Sequence, residues 1–474
     1  MRIGLNTTRS QDAPVAISKV SASQLTLIST VAFLASLGLL WPAYWYSTVV
    51  GIVGAALSIY LLITTFFQFL RSRRSLGNFM LALGSVFWFW IEILTFSLSR
   101  PSFPSIAHYA PFSGAQIPVD TVAQSIFCVA VFNICALAVL GFFGSKKLRF
   151  GSSVTRGGTN PIFVDLTLLA FSLLGWWPFL RTFGGVQQAL QSMLLMRAEV
   201  VEFEAGFANY LPILSITAGG FALVRIATQS SASKILTIAA VLAGGTLALL
   251  SGTRFKLAYL LLPAVLARAV YAPGYSSFLR NAGVLLAVAT TMLLVASYQF
   301  TNRYGGDGSE ISLITAAFAG AGHFTPLTHA IELLRSPWTE PFMQPMAPLF
   351  VTDFIPRFLW PDKPSHEYWE YYNSAIAIAG NVTPSVIGQY FLNWGLPGAA
   401  IAGAIFGAWA YFGDMLVEQY HHAKNHLYLA LAAFVFTFLF LSYRVYSPNY
   451  FAYLLVMIFF FKLFRLKFRL RNRQ

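Results

Sequence analysis

The segment ILTIAAVLAGGTLALLSGTRFKLAYLLLPAVLARAVYA at 235–272 is apolar for nearly its whole length and is broken once, by SGTR at 251–254. Each arm approaches the roughly 20 residues that carry a helix across a bilayer. The first arm, 235–250, is apolar on every side, so it lacks the alternating polarity of a membrane β-barrel strand and reads as helix. The short turn between the arms contains Ser251, Gly252 and Thr253, small residues that let two backbones approach closely. Arg254 closes that turn.

The rest of the chain repeats the pattern. Of 474 residues, 57% are hydrophobic and 10% charged, against roughly 25% charged in soluble domains, and mean hydropathy is +0.65. Further apolar runs lie near 25–46, 48–70, 79–98, 120–143, 162–180, 210–228, 282–300, 396–417, 427–442 and 451–464. The expected fold is an all-α integral membrane protein with about 12 transmembrane helices. The polar start, 1–24, has no apolar stretch followed by a small-residue cleavage site, so the first span is expected to act as the insertion signal. Cys128 and Cys135 fall two helical turns apart in one apolar run and read as core thiols.

The net charge of +14 comes from short clusters between apolar runs, not from one basic face, which argues against nucleic acid as a partner. Arg71, Arg73 and Arg74, then Lys146, Lys147, Arg149 and Arg156, then the basic tail all fall on one side of an alternating topology. Basic residues are retained in short cytoplasmic connections, so both termini are expected in the cytoplasm. The organisation is then a cytoplasmic N-terminus at 1–24, spans 1–9 over 25–300 with an external loop at 181–209, a long periplasmic loop at 301–395, spans 10–12 over 396–464, and a basic cytoplasmic tail at 465–474. Within the long loop, 311–334 is apolar but carries His323, Pro326, His329 and Glu332. Another crossing there would export the basic tail, so it reads as an interfacial or re-entrant helix.

Loops of that length are uncommon unless they have work to do. The external basic residues are Arg181, Arg197, Arg254, Lys256, Arg303, Arg357 and Arg444. Arg254 either snorkels to the headgroups or presents its planar guanidinium to a phosphate. In IPRFLWPDKP, 355–364, three prolines hold Arg357 and Lys363 beside Trp360, an arrangement suited to an anion and a sugar ring. The alternative is a rigid cap in which Arg357 pairs with Asp353 or Asp362. External histidines, His108, His323, His329 and His366, could accept a proton near neutral pH, and His323 stands out because it interrupts an apolar segment. No Walker, HExxH, GxSxG or Cys/His metal spacing is present, so no metal or cofactor is expected.

The run IPRFLWPDKP, followed by GNVTPSVIGQYFLNWGLPGAAIAG at 380–403, resembles the C-terminal signature of bacterial oligosaccharide repeat-unit polymerases of the Wzy type. SGTR at 251–254, and the glycine pair plus Arg197 in the 184–206 loop, add to the likeness. The resemblance implies a metal-independent inner-membrane glycosyltransferase, similar in architecture to the O-antigen ligases and the GT-C class, with its active site facing the periplasm. It implies a glycan donor on undecaprenyl pyrophosphate, a lipid-linked repeat unit as acceptor, and a chain-length regulator as partner. Arg254 and Arg357 would hold the pyrophosphate, with Arg197 and Arg444 as further candidates, and a histidine such as His323 would take the acceptor proton. Arg303, Lys363 and His366 would line the substrate path, and Trp360, Trp369 and Tyr390 could stack on sugar. No external Arg has Gly eleven positions later, so the paired Arg-x10-Gly motif of some polymerases is absent.

Two other readings compete: an O-antigen ligase-type transferase, and a transporter or flippase of lipid-linked sugar. A transporter would more often show internal repeats and acids at the midplane of both halves. Here Glu92, Asp165 and Asp414, acids within the apolar runs, do not match in position.

Overall fold

In lipid an apolar run has no solvent partner for its N–H and C=O groups, so the backbone must satisfy itself as helix. The computed structural model describes residues 44–72, 76–94, 119–144, 160–183, 185, 188, 211–250, 254–271, 324–335, 360, 384–444 and 448–471. Regular structure among the described residues is entirely helical. The helices are α1 (Tyr44–Ser72), α2 (Leu76–Ser85, continued by a π-helical turn, Val86–Trp90), α3 (Val119–Gly144), α4 (Pro161–Leu174), α5 (Trp177–Phe183), α6 (Leu211–Ala227) and α7 (Lys234–Leu250). They continue as α8 (Arg254–Tyr271), α9 (Phe324–Arg335), α10 (Ser385–Trp394), α11 (Leu396–Ala423), α12 (His426–Ser442) and α13 (Pro448–Arg471).

Four stretches, Gly51–Leu70, Leu76–Leu94, Thr121–Gly144 and Leu396–Ala423, are long and apolar enough to cross a membrane. Pro161–Leu174, Leu211–Ala227, Lys234–Ala248 and His426–Ser442 are shorter apolar helices. Exposed Tyr60, Ile63 and Phe67 on α1, and Ile235, Ile238 and Leu242 on α7, recur at helical spacing, so each helix turns an apolar face outward. Water penalises such faces and lipid does not. The expected runs at 282–300 and over most of 25–46 lie outside the described residues.

Local chemistry explains where helices start and stop. Asn160 accepts a hydrogen bond from the Ile162 N–H at 3.1 Å, and Pro161 follows it with its φ already suited to the first turn. Asn425 does the same for Leu427 at 3.0 Å. The apolar run 162–180, expected as one span, is instead divided between α4 and α5. At Gly175 the chain passes so near α6 that a Cβ would lie 2.2 Å from the Ser215 Cβ. Ser215 Oγ donates to the Ser172 carbonyl, and Trp176 Nε1 donates to Ala243 O at 3.1 Å, so α4 ends where α6 and α7 take up its last polar groups.

Helix α12 is apolar on all sides and is buried along most of its length, so it forms the centre of the bundle. Helices α3 and α11 pack closely because α11 carries Gly403 and Gly407 one turn apart, against the carbonyls of Phe132 and Ala136. Tyr259 of α8 stacks on Tyr453 of α13, with centroids 4.1 Å apart and planes within 5°.

Two buried acids fasten one end of the bundle. Asp165 of α4 accepts from Arg225 Nε at 2.8 Å and from the Ala232 and Ser233 N–H groups at 2.9 Å, which ties α4, α6 and the start of α7 together. Asp414 of α11 accepts from the Gly77 N–H at 2.8 Å and so caps α2 from a distant part of the chain. Arg268 Nη1 donates to Ala227 O at 3.0 Å, and the Tyr271 and His426 rings are 5.6 Å apart, placing the end of α8 and the start of α12 there too.

Candidate functional site

The opposite end of the bundle gathers most of the residues with chemistry. Helix α8 begins at Arg254, and the next ring, Phe255, lies 4.9 Å from Tyr450 near the start of α13. Tyr259 donates to Tyr450 O at 3.0 Å, holding α8 and α13 in register. Arg444 follows α12 directly and is half-buried. Its neighbour Tyr443 accepts, through its carbonyl, the Val386 N–H of α10 at 3.2 Å. The backbone therefore brings Arg254, Arg444 and the start of α10 to one end. A helix N-terminus carries partial positive charge, so the first turn of α8 adds to the field of an arginine placed there.

Helices α9 and α10 lie over this end. Helix α9 has 12 residues, about 18 Å of rise, well short of the roughly 30 Å hydrocarbon core. It rests against α10, where a Cβ on Gly388 would sit 3.2 Å from the Ala330 Cβ, and beside the start of α3, where Thr121 Oγ1 donates to Glu332 Oε2. Ser385, Gln389 and Asn393 on α10 are all buried and recur every fourth residue, forming one polar stripe on an otherwise apolar helix. Thr328 and His329 on α9 are buried as well. Ser385 has φ +64°, a left-handed conformation that strains a side chain with a Cβ, and its Oγ accepts the Gly388 N–H at 3.1 Å.

Burial pushes the His329 imidazole down from its ordinary value near 6.5 to about 4. The folded protein therefore keeps it neutral while the unfolded chain takes up a proton. Stability is complete above about pH 6.5 and falls as pH drops towards about 4, by on the order of 3 kcal/mol. The His329→Gln variant should melt with a shallower dependence on pH across that interval. An unchanged pH slope in thermal unfolding would show that this imidazole is not the group responsible.

Of the residues singled out from sequence, Arg254 and Arg444 are placed at this end of the bundle, and Trp360 is 39% exposed. Tyr390 is 2% exposed, its ring 5.7 Å from that of Trp394, so it packs in the interior of the fold. Arg197, Arg303, His323, Arg357, Lys363, His366 and Trp369 lie outside the described residues. Thr121, Glu332 and the stripe of Ser385, Gln389 and Asn393 were not picked out as a group. The fourfold spacing within SVIGQYFLN was the available signal. Among the described residues, no three His, Cys, Asp or Glu side chains come together as a metal site.

No protein-family profile, curated protein or solved structure matches this chain.

Proposed function

We propose that this protein is a membrane glycosyltransferase of the repeat-unit polymerase type, taking a glycan from undecaprenyl pyrophosphate and adding it to a lipid-linked repeat unit at the periplasmic face. The observation that carries this reading is the placement of Arg254, at the N-terminus of α8, at the same end of an apolar bundle as Arg444 and the buried polar layer of α9 and α10. Loss of a pyrophosphate leaving group needs fixed positive charge, which arginines and a helix N-terminus supply without a metal. The likeness of 355–364 and 380–403 to the polymerase signature supports the same reading, with Arg357 as the second pyrophosphate ligand and His323 as the proton acceptor. The proposed topology has 12 spans and both termini in the cytoplasm. It puts Arg254, α9, α10 and Arg444 on the exported side.

The two buried acids favour catalysis over transport. Asp165 is taken up by Arg225 and two backbone N–H groups, and Asp414 accepts from the start of α2, so each has a structural task at a helix end. A transporter would more often carry such acids on its substrate path.

Purified protein supplied with a lipid-linked repeat unit should produce lengthened glycan and free undecaprenyl pyrophosphate. Arg254→Ala should lower that rate by roughly a hundredfold or more, as removal of one oxyanion donor typically does, without changing the melting temperature. A preparation that neither lengthens glycan nor releases lipid pyrophosphate would sink the proposal. Undiminished activity in Arg254→Ala would remove this residue from the mechanism.

A further inference from the structure

Away from that end, a cavity lies between α1, the π turn of α2 and α3, lined by Ser58, Leu61, Ser85, Trp90, Asn133 and Leu137, among others. Asn133 lies near the middle of α3, so the cavity sits midway between the ends of that helix, with Ser58 and Asn133 half-buried at its edge. The cavity is mostly apolar but has a polar corner, where Asn133 Nδ2 donates to Ser85 Oγ at 2.9 Å.

Trp90 is 2% exposed, and its indole N–H has no hydrogen-bond partner among the described residues. Its neighbour Trp88, two residues earlier in the same π turn, donates to Phe440 O at 2.8 Å. The contrast matters because a buried donor left without an acceptor costs about 1–3 kcal/mol. π-Helical turns are rare, and they occur often where a helix has been adapted to a site. Within this turn the two indoles go in different directions, one to α12 and one to this cavity.

Size limits what can sit there. The room open to the centre of a water-sized guest is about 20 Å³. One water needs roughly 10–15 Å³ on the same measure, together with two to four polar partners.

We propose that this cavity is a built-in water site, in which one molecule accepts the Trp90 indole N–H and joins it to the Ser85–Asn133 pair. The water accepts from the indole, donates to the Asn133 carboxamide oxygen, and exchanges a hydrogen bond with the Ser85 hydroxyl. It thereby joins the lone indole N–H to the existing Ser85–Asn133 pair in one network that holds the π turn against α3. This proposal is independent of the assignment of an enzymatic activity.

The test is a double-mutant cycle on the full-length protein in lipid nanodiscs, read by thermal melting, with Trp90→Phe and Ser85→Ala as the single changes. Ser85→Ala removes little more than the hydroxyl, whereas Trp90→Phe also removes part of the ring volume and costs stability through packing alone, so the coupling between the two changes is the deciding readout. Each single variant should melt several degrees lower than the parent, and the double variant should lose clearly less than the sum, because the two groups share one water. If the two losses add, the indole and the hydroxyl share no water and the site is dry. A cryo-EM or crystal map that resolves ordered water should show a single peak within hydrogen-bonding distance of Trp90 Nε1. A lipid chain in that density, or no peak at all, would overturn the proposal.

Discussion

Gly403→Leu should leave little folded protein in the membrane. A Cβ at this position would lie 2.2 Å from the Phe132 carbonyl oxygen, 2.9 Å from its carbon and 3.0 Å from its Cα. All three are backbone atoms of α3 and cannot swing aside as a side-chain tip can. One turn later, Gly407 meets the Ala136 carbonyl oxygen at 2.2 Å in the same way. Overpacking a core costs about 1–3 kcal/mol where side chains can adjust, and more where two helices must separate. Helices in lipid have little hydrophobic force driving them together, so close van der Waals contact carries most of their association. Gly245→Ala is the control, since its Cβ would meet only Leu260 Cδ2 at 3.3 Å, a movable side chain. The variants would be compared by membrane abundance and by the melting temperature of the solubilised protein. Normal abundance and melting of Gly403→Leu would refute the close α3–α11 contact.

The second large effect is expected at the other end. Arg225→Met should destabilise the protein by about 3–5 kcal/mol, because it strands a buried carboxylate. Asp165 is fully buried, and losing Arg225 Nε leaves it facing only the Ala232 and Ser233 N–H groups. Arg225 Nη2 also donates to Pro161 O at 3.3 Å, so the start of α4 loosens with it. Replacing both partners, Arg225→Met with Asp165→Leu, should recover part of the loss, since an apolar pair leaves no buried charge behind. Thermal unfolding of the two single variants and the double variant checks this. A double variant no more stable than Arg225→Met would show that the pair is not energetically coupled.

These two sites differ in how far they could be read in advance. The α3–α11 contact had a visible half: Gly403 and Gly407 stand one turn apart in an apolar run, a spacing that marks a packing face. Its other half, Phe132 and Ala136, has no such mark. Asp165 was visible as an acid in an apolar run, but its partner lies 60 residues further on. Asp414 is more remote, capping a helix start 337 residues away. At the candidate site, the value of Arg254 as a cation on a short turn was readable, and so was the oddity of polar groups at 311–334. Tyr390 was expected beside a sugar, and what the sequence did not give is its burial beside Trp394, which depends on how α10 is seated in the bundle.

The sequence alone determined that the described apolar runs are helical and that their outer faces suit lipid. Those properties follow from each segment's own length and polarity, on which the bilayer acts locally. The tertiary structure decided which helix packs on which, how Asp165 and Asp414 are served, and that Arg254 and Arg444 share an end with the polar stripe of α10. Such pairings depend on shape and hydrogen bonding between residues far apart in the chain, and apolar runs of similar composition do not distinguish one partner from another.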